Sequence, residues 1–148
     1  MRVRENPDVI FMNATLVAKI PKNKLEEIRV SVLRNNKIDL RTYFYFPNEA
    51  EPKPTRKGIW LSYKHMPQII GAFEKHAADP KSGFSLEFES RENEKIRVYL
   101  GEFKGAKIVH MRTFYLKENE YLPGKGISFA VPLIAPMLEA LKNLPKSA

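Results

Sequence analysis

The chain has 148 residues, 43% of them hydrophobic and 28% charged, and this composition is typical of a soluble globular protein. It contains no cysteine, which excludes disulfides, thiol chemistry and cysteine-ligated zinc sites. Its 25 lysines and arginines exceed its 17 acidic residues and give a formal net charge of +8, which favours polyanionic partners, nucleic acid first and anionic membrane second.

Residues 1–13 lie outside the pattern that organises the rest of the chain. They lack the apolar stretch of a signal peptide. Nowhere does the sequence approach the roughly 18 consecutive apolar residues that span a membrane. We therefore expect an intracellular protein, cytoplasmic or nucleoid-associated if bacterial or from a phage, and nuclear if eukaryotic. Val9–Met12 is apolar enough to add a short edge strand.

Residues 14–79 are predicted to form four strands and a helix. Ile28, Val30 and Val32 alternate with polar residues, the period-two pattern of a half-buried strand. The helix is expected to begin near Pro67, because proline suits a first helical turn. The predicted strands cover 14–20, 27–34, 37–46 and 58–63, with a two-residue turn at Asn35–Asn36, a proline-rich loop over 47–54, and a buried helical stripe of Ile69, Ile70 and Phe73.

Residues 84–146 repeat this plan after a linker at 78–83. Ile28-Arg29-Val30 returns as Ile96-Arg97-Val98, and Lys57-Gly58-Ile59 returns as Lys125-Gly126-Ile127. A duplicated unit of this size is marginal alone, so the two units are expected to pack as a pseudo-two-fold pair, an intramolecular dimer of the α+β class with two ββββα repeats. The second set of strands is predicted at 84–89, 95–101, 106–117 and 126–131, with a helix of stripe Met137, Leu138 and Leu141 ending near Leu144.

One face of each predicted sheet combines cations with aromatic side chains. If Ile38 and Leu40 point to the core, alternation sends Arg41 and Tyr43 to the opposite face. Non-specific binders of single strands use such surfaces, with cations on phosphates and rings stacked on bases. The same rule exposes Arg29, Ser31, Asp39, Tyr45, Lys57 and Trp60 in the first unit, and Arg97, Tyr99, His110, Arg112, Phe114, Lys125 and Ser128 in the second.

Each of these side chains also has a purely structural interpretation. Tyr43 and Phe114 can instead cover a second hydrophobic layer or the interface between the two units. Arg41 can form a structural ion pair, for instance with Glu27. Three scattered histidines show no spacing suited to a metal site, and no nucleophile or phosphate-loop motif is present, so neither catalysis nor a cofactor is expected.

Four segments of the chain carry a family resemblance: Ile38–Arg41 and Lys53–Leu61 in the first unit, and Gly101–Gly105 and Leu122–Ser128 in the second. They resemble the transcriptional coactivator PC4 (p15) family, which binds single-stranded DNA. The first two are similar to the family's Ile-Asp-Ile-Arg strand and Lys-Pro-Gly-Arg-Lys-Gly-Ile-Ser-Leu run, and the last two to its Asp-Phe-Lys-Gly hairpin and a shortened Lys-Gly-Ile run. The resemblance implies strongly curved antiparallel sheets, paired so that they form grooves for single-stranded DNA.

The resemblance also assigns roles to individual positions. It places the hairpin contacts at Phe103 and Lys104 and the strand arginine at Arg41 and Arg112. The family's aromatic residue three positions after that arginine falls on Phe44 or Tyr115, which simple alternation buries unless a bulge intervenes, so both are secondary candidates. The family's arginine–lysine pair falls on Arg56–Lys57 in the first unit and on Lys125 alone in the second, and Asn35–Asn36 replaces the aromatic hairpin, so the two grooves are expected to be unequal.

These observations predict a non-catalytic single-stranded DNA-binding protein that assists transcription, replication or recombination. The alternatives are an adaptor that docks an acidic protein partner on the same face, such as a transcription or recombination protein, and an RNA-binding protein. Further self-association of the chain is left open. The candidate nucleic-acid-binding residues are Arg29, Arg41, Tyr43, Arg56, Lys57, Trp60, Arg97, Phe103, Lys104, Lys107, Arg112, Phe114 and Lys125.

Overall fold

The computed structural model describes residues 14–146 and contains two antiparallel four-stranded sheets, each followed by a helix. This is the predicted α+β architecture with two ββββα units. The predicted strand at Val9–Met12 lies outside the described residues. In the first unit the elements are β1 (Thr15–Pro21), β2 (Glu26–Val32), β3 (Lys37–Phe44), β4 (Lys53–Ser62), a 3₁₀ turn (Tyr63–His65) and α1 (Met66–Ala78).

The second unit has the same order of elements, and in both sheets the strands are neighbours in chain order. Its two central strands, of 10 and 12 residues, are longer than those of the first unit, of 7 and 8 residues. Its elements are β5 (Ser85–Arg91), β6 (Glu94–Phe103), β7 (Ala106–Lys117), β8 (Glu120–Ala130), a 3₁₀ turn (Val131–Leu133) and α2 (Ile134–Lys142).

The last strand of each unit begins earlier than predicted. The pattern predicts Gly58 and Gly126 as the first residues, whereas β4 starts at Lys53 and β8 at Glu120. Pro54, the last proline of the predicted loop, therefore lies within β4 opposite Tyr43, and Pro123 lies within β8 opposite Phe114. Both are edge strands, where a proline is tolerated because its missing N–H costs no ladder hydrogen bond.

The turns between the central strands differ between the units. In the first unit the turn holds three residues, Arg34–Asn36, rather than the two predicted; Asn36 takes the expected positive φ, at 61°. In the second, Lys104 and Gly105 form a two-residue hairpin with φ of 51° and 80°. Positive φ at both central residues is the geometry that matches the twist of the paired strands.

A hydrophobic core joins the two units. The predicted helical stripes are confirmed, with Ile69 and Phe73 buried in α1 and Met137 and Leu141 in α2. Equivalent elements contact each other, α1 with α2 and β4 with β8, as expected of units related by a local two-fold axis. Within residues 14–146, neither helix has the length and hydropathy needed to cross a membrane.

Candidate functional site

Each sheet carries a pair of arginines on the side turned away from the helices. Arg29 lies directly opposite Arg41 on β2 and β3, and Arg97 lies opposite Arg112 on β6 and β7. We call these two surfaces the first and second arginine faces. Like charges placed opposite each other destabilise a sheet, so each arginine requires compensating contacts. The units meet this requirement in partly different ways.

An aromatic ring supports one arginine of each pair. The guanidinium carbon of Arg29 lies 4.5 Å from the ring centroid of Tyr43, and that of Arg97 lies 4.5 Å from the centroid of Phe114. Tyr43 and Phe114 are only 7% and 8% exposed. The expectation that these two rings are open for base stacking is therefore wrong. They face the predicted side of the sheet, but the arginines cover them, and the cation–π contact holds the arginines in place.

A bulge in the last strand supports the other arginine. The guanidinium of Arg41 donates to the carbonyl oxygen of Thr55 at 2.7 Å, and that of Arg112 donates to the carbonyl oxygen of Gly124 at 3.1 Å. The pairing registers of β3 with β4 and of β7 with β8 both shift just after these arginines. The extra residues of the last strand thus turn a backbone acceptor toward the arginine.

Steric constraints at this bulge explain the glycine of the repeated Lys-Gly-Ile run. Gly58 pairs with Arg41, and a Cβ at Gly58 would lie 2.5 Å from the guanidinium carbon. A Cβ at Gly126 would collide with the carbonyl oxygen of Met111 and the backbone of Arg112. Glycine therefore lets the arginine side chain and strand approach closely. The adjacent basic side chains, Arg56, Lys57 and Lys125, are exposed as predicted.

Carboxylates neutralise the first arginine face. Asp39 accepts a hydrogen bond from Arg41 at 3.0 Å, and Glu27 accepts one from Arg29 at 2.6 Å. Burial raises the pKa of Asp39, although Arg41 and the neighbouring Trp60 indole act in the opposite direction. Burial also acts to raise the pKa of Glu27, but hydrogen bonds from Tyr45 and Arg29 hold it below its usual value. Arg41 thus has an ion pair, with Asp39 rather than with Glu27.

The second arginine face lacks these buried acids. Repeat positions equivalent to Asp39 and Glu27 hold His110 and Lys95. His110 bonds to the hydroxyl of Ser128 at 2.8 Å, and burial, followed by the charge of Arg112, lowers its pKa. Arg97 pairs with an acid of the edge strand, Glu87, at 2.8 Å. Among the residues that the structure describes, Arg112 has no carboxylate within 4.0 Å, so this face retains more positive charge.

Two further residues that alternation predicts to be exposed are buried in the structure. Ser31 and Asp39 lie on the predicted side of the first sheet, yet both are buried. Lys107 is on the wrong side for the arginine face, because it shares the alternation of the core residues Val109 and Met111 on β7. Its ammonium lies 3.5 Å from the carbonyl oxygen of Pro80 in the linker.

Exposed aromatic side chains flank the second arginine face. Phe103, at the tip of the β6–β7 hairpin, is 64% exposed, and the ammonium of Lys104 lies 5.3 Å from its ring centroid. Tyr115 is 45% exposed, although simple alternation had buried it. The paired strands β7 and β8 continue beyond Tyr115 to their turn at residues 118–119. The ring of Tyr115 lies where a side chain at Gly124 would otherwise be. The matching Phe44 packs edge-on against Phe46 instead.

The second unit also matches a known protein family. Residues 90–140, about a third of the chain, match the family model Transcriptional Coactivator p15 (PC4). The second unit is a PC4-family domain. The match runs from the β5–β6 turn into α2 and so includes the arginine pair, the Phe103–Lys104 hairpin and the bulge of β8. No curated protein sequence matches the chain.

The PC4-family domain and the first unit enclose two clefts that are related by the repeat. One, of about 320 Å³, is lined by Trp60 and Lys37 of the first unit and by Ser90 and Arg91 at the β5–β6 turn. In the other, of about 450 Å³, the equivalent positions are Ser128, Ile108, Lys22 and Asn23. Trp60 is 40% exposed, as predicted. The first cleft, which Arg41, Tyr115 and Lys125 also line, therefore has both more aromatic surface and more positive charge.

Proposed function

We propose that this protein binds single-stranded DNA through its two arginine faces, without catalysing a reaction on it, and that it assists transcription, replication or recombination. The PC4-family domain supports this function at the level of the family. The finer assignment to unpaired strands rests on the arrangement of cations and exposed rings in both units.

The chemistry of the arginine faces suits an unpaired strand. Exposed cations at Arg56, Lys57 and Lys125 follow the edge of each sheet and can contact successive phosphates. Exposed rings at Phe103 and Tyr115 offer stacking surfaces for bases. A duplex hides the faces of its bases, so stacking surfaces of this kind favour strands that are not paired.

The observation that carries the proposal is the set of contacts that the Arg112 guanidinium makes. Its guanidinium is held by the carbonyl of Gly124 and by the close approach at Gly126, yet it has no acidic partner within the described part of the chain. An arginine that serves only the fold is expected to pair with a carboxylate, as Arg41 does with Asp39. A fixed and uncompensated guanidinium is suited to a phosphate, which it can bind through two parallel hydrogen bonds.

The test is fluorescence anisotropy with a labelled single-stranded DNA of about 20 nucleotides at several salt concentrations, with duplex of the same sequence as competitor. We expect salt-sensitive binding that duplex displaces poorly, with log affinity falling by about 0.7 per neutralised phosphate for each unit of log salt. Replacing Lys57 and Lys125 with alanine should flatten this slope. The matched control replaces Lys75 and Lys142 on the helices, which removes the same charge.

The outcomes separate this proposal from its alternatives. Equal binding of single strand and duplex would reduce the interaction to general electrostatics, and an unchanged slope in the lysine double variant would remove those lysines from the interface. Affinity that does not grow with strand length would point to a docking patch for an acidic protein segment. Tighter binding of the matching RNA would indicate recognition of the 2′-hydroxyl.

A further inference from the structure

We infer that the cleft between the two units, lined by Trp60 and Tyr115, binds a single unpaired nucleotide of the strand, base against the rings and phosphate against the surrounding cations. We call it the junction cleft. The inference rests on the proposed single-stranded DNA binding and adds a defined site at which the strand passes from one unit to the other. Such a site belongs to neither arginine face alone.

The lining of the junction cleft fits a nucleotide. Its volume of about 320 Å³ lies at the lower end of the range for ligand pockets, about 300–1,000 Å³. Aromatic surface comes from both units, Trp60 from β4 and Tyr115 from β7. Cations also come from both units, with Lys37 and Arg41 from the first and Arg91 and Lys125 from the second. Arg41 is paired with Asp39 and Arg91 with Glu94, whereas no acid of the described residues pairs with Lys37 or Lys125.

The two rings are held in place from behind. Trp60 lies directly opposite Asp39 across β3 and β4, and Asp39 is buried and paired with Arg41, so the strand behind the indole is fixed while 40% of Trp60 stays exposed. Tyr115 lies against Gly124, where a side chain would collide with its ring. Rings that are already oriented lose little side-chain freedom when a base stacks on them, which favours binding.

The cleft on the opposite side of the molecule shows what the site requires. There Ser128 stands in the place of Trp60, Asn23 in that of Arg91 and Ile108 in that of Lys37, and one cation, Lys22, is among its lining residues. Its surface is mostly apolar, from Phe129, Leu133 and their neighbours. Two clefts built by the same repeat thus differ at the positions that a nucleotide would contact. A strand should therefore be held at the junction cleft and not at its counterpart.

The sequence supplies a reporter for this site, because Trp60 is the one tryptophan of the chain. Titration of the full chain with single-stranded oligonucleotides should change the tryptophan emission and protect it from acrylamide quenching. Arg91→Asn, which installs the residue of the other cleft, should weaken this protection at equal DNA occupancy. If anisotropy shows that DNA is bound while the emission and its accessibility to acrylamide stay unchanged, the inference is wrong and the proposed function survives. If anisotropy shows no binding, both fail.

Two substitutions at Trp60 separate stacking from fold. Trp60→Phe keeps a ring opposite Asp39 but loses the indole N–H, whereas Trp60→Ser installs the residue of the other cleft. We expect Trp60→Ser to weaken binding of single strands by about five- to 150-fold, and Trp60→Phe to weaken it far less. Equal losses in both variants would assign Trp60 a structural role through Asp39 and overturn the inference.

A double-mutant cycle tests whether both rings contact one nucleotide. Trp60→Ser and Tyr115→Ala should each weaken binding, and the double variant should lose less than the product of the two fold-changes, because either single change already disrupts the shared contact. Independent, multiplicative losses would show that the rings contact separate bases, and the single-nucleotide site would then be rejected. Urea unfolding of each variant confirms that the fold is retained.

Discussion

Asp39 lies directly opposite Trp60 across β3 and β4, and its buried carboxylate pairs with Arg41. The equivalent cross-strand pair in the second unit, His110 and Ser128, is joined by a hydrogen bond of 2.8 Å. The repeat has thus kept a polar residue two positions before the strand arginine while changing its charge. In the first unit this residue is a buried carboxylate, whereas in the second it is an imidazole whose pKa is lowered by burial.

This difference predicts that Asp39 limits how strongly the first arginine face binds phosphate. Asp39→Asn keeps a hydrogen-bond acceptor and removes the charge that competes with phosphate for Arg41. We expect tighter binding of single-stranded DNA and a salt dependence steeper by up to about 0.7 in log–log slope, measured by anisotropy. Glu74→Gln on α1 is the control with the same change in net charge. If the two variants bind alike, Asp39 does not restrain Arg41.

The two strand arginines should contribute differently to stability. Removing Arg41 leaves the buried carboxylate of Asp39 without its ion-pair partner, which costs about 3 kcal/mol or more of unfolding free energy. Removing Arg112 breaks a hydrogen bond to one backbone carbonyl, a loss of about 1 kcal/mol. Urea unfolding of Arg41→Ala and Arg112→Ala measures both. Equal destabilisation would contradict the assignment of Asp39 as the acid that Arg41 neutralises.

The glycines of the repeated Lys-Gly-Ile run should be intolerant of a methyl group. Gly126→Ala places a Cβ against the backbone of Met111 and Arg112 and should cost about 1–3 kcal/mol of stability. Gly58→Ala meets the movable end of the Arg41 side chain, so we expect it to displace the guanidinium and weaken DNA binding along with stability. Gly71→Ala is the control, because it lies in α1 with open space around it and should stabilise the helix by up to about 1 kcal/mol.

Alternation and the internal repeat were sufficient to predict the fold and the side of each sheet that carries the arginines. They did not predict how far each side chain is covered. Tyr43 lies on the predicted side but beneath Arg29, because two adjacent guanidinium groups need support that a ring can provide. Alternation gives the direction of a side chain, whereas burial depends on which neighbour lies over it.

The bulges were the other feature that the pattern did not contain. The extra residues lie in β4 and β8, so the pairing register of the last strand shifts while alternation along β3 and β7 continues. Phe114 accordingly stays on the side of Arg112, and Tyr115 is exposed on the other side of β7, where alternation predicts burial. Pro54, interpreted as the end of a loop, and Pro123, in the shortened Lys-Gly-Ile run, both lie in the bulged strands. A proline next to a Lys-Gly-Ile run on an edge strand is the signal that could have identified these bulges.

Stability should decrease as the pH falls below neutrality. Burial lowers the pKa of His65, whose ring stacks on Phe88 of the other unit with centroids 4.3 Å apart, and burial also lowers the pKa of His110. The unfolded chain therefore binds protons on these histidines first, so unfolding becomes easier as the pH falls through about 6.5 toward their folded values. Asp39, with a raised pKa, acts in the opposite sense but at lower pH.

Urea unfolding at pH 7.5 and 5.5 checks this dependence. The wild-type chain should be less stable at the lower pH. His65→Phe keeps a ring against Phe88 and removes a buried Nδ1 that has no hydrogen-bond partner within the described residues, so its stability should change less between the two pH values. A pH dependence identical to that of the wild type would show that His65 titrates as freely in the folded chain as in the unfolded one.

Phe103 should contribute to binding and not to folding. Its side chain is 64% exposed at the tip of the β6–β7 hairpin, so its removal uncovers no core. If it stacks on a base, Phe103→Ala should weaken single-stranded DNA binding by about 1–3 kcal/mol while urea unfolding stays within about 0.5 kcal/mol of the wild type. The control is Leu25→Ala, which removes another exposed apolar side chain, 51% accessible, from the β1–β2 turn of the first unit. Equal losses of affinity in the two variants would mean that general apolar contact, rather than stacking at the hairpin, holds the strand.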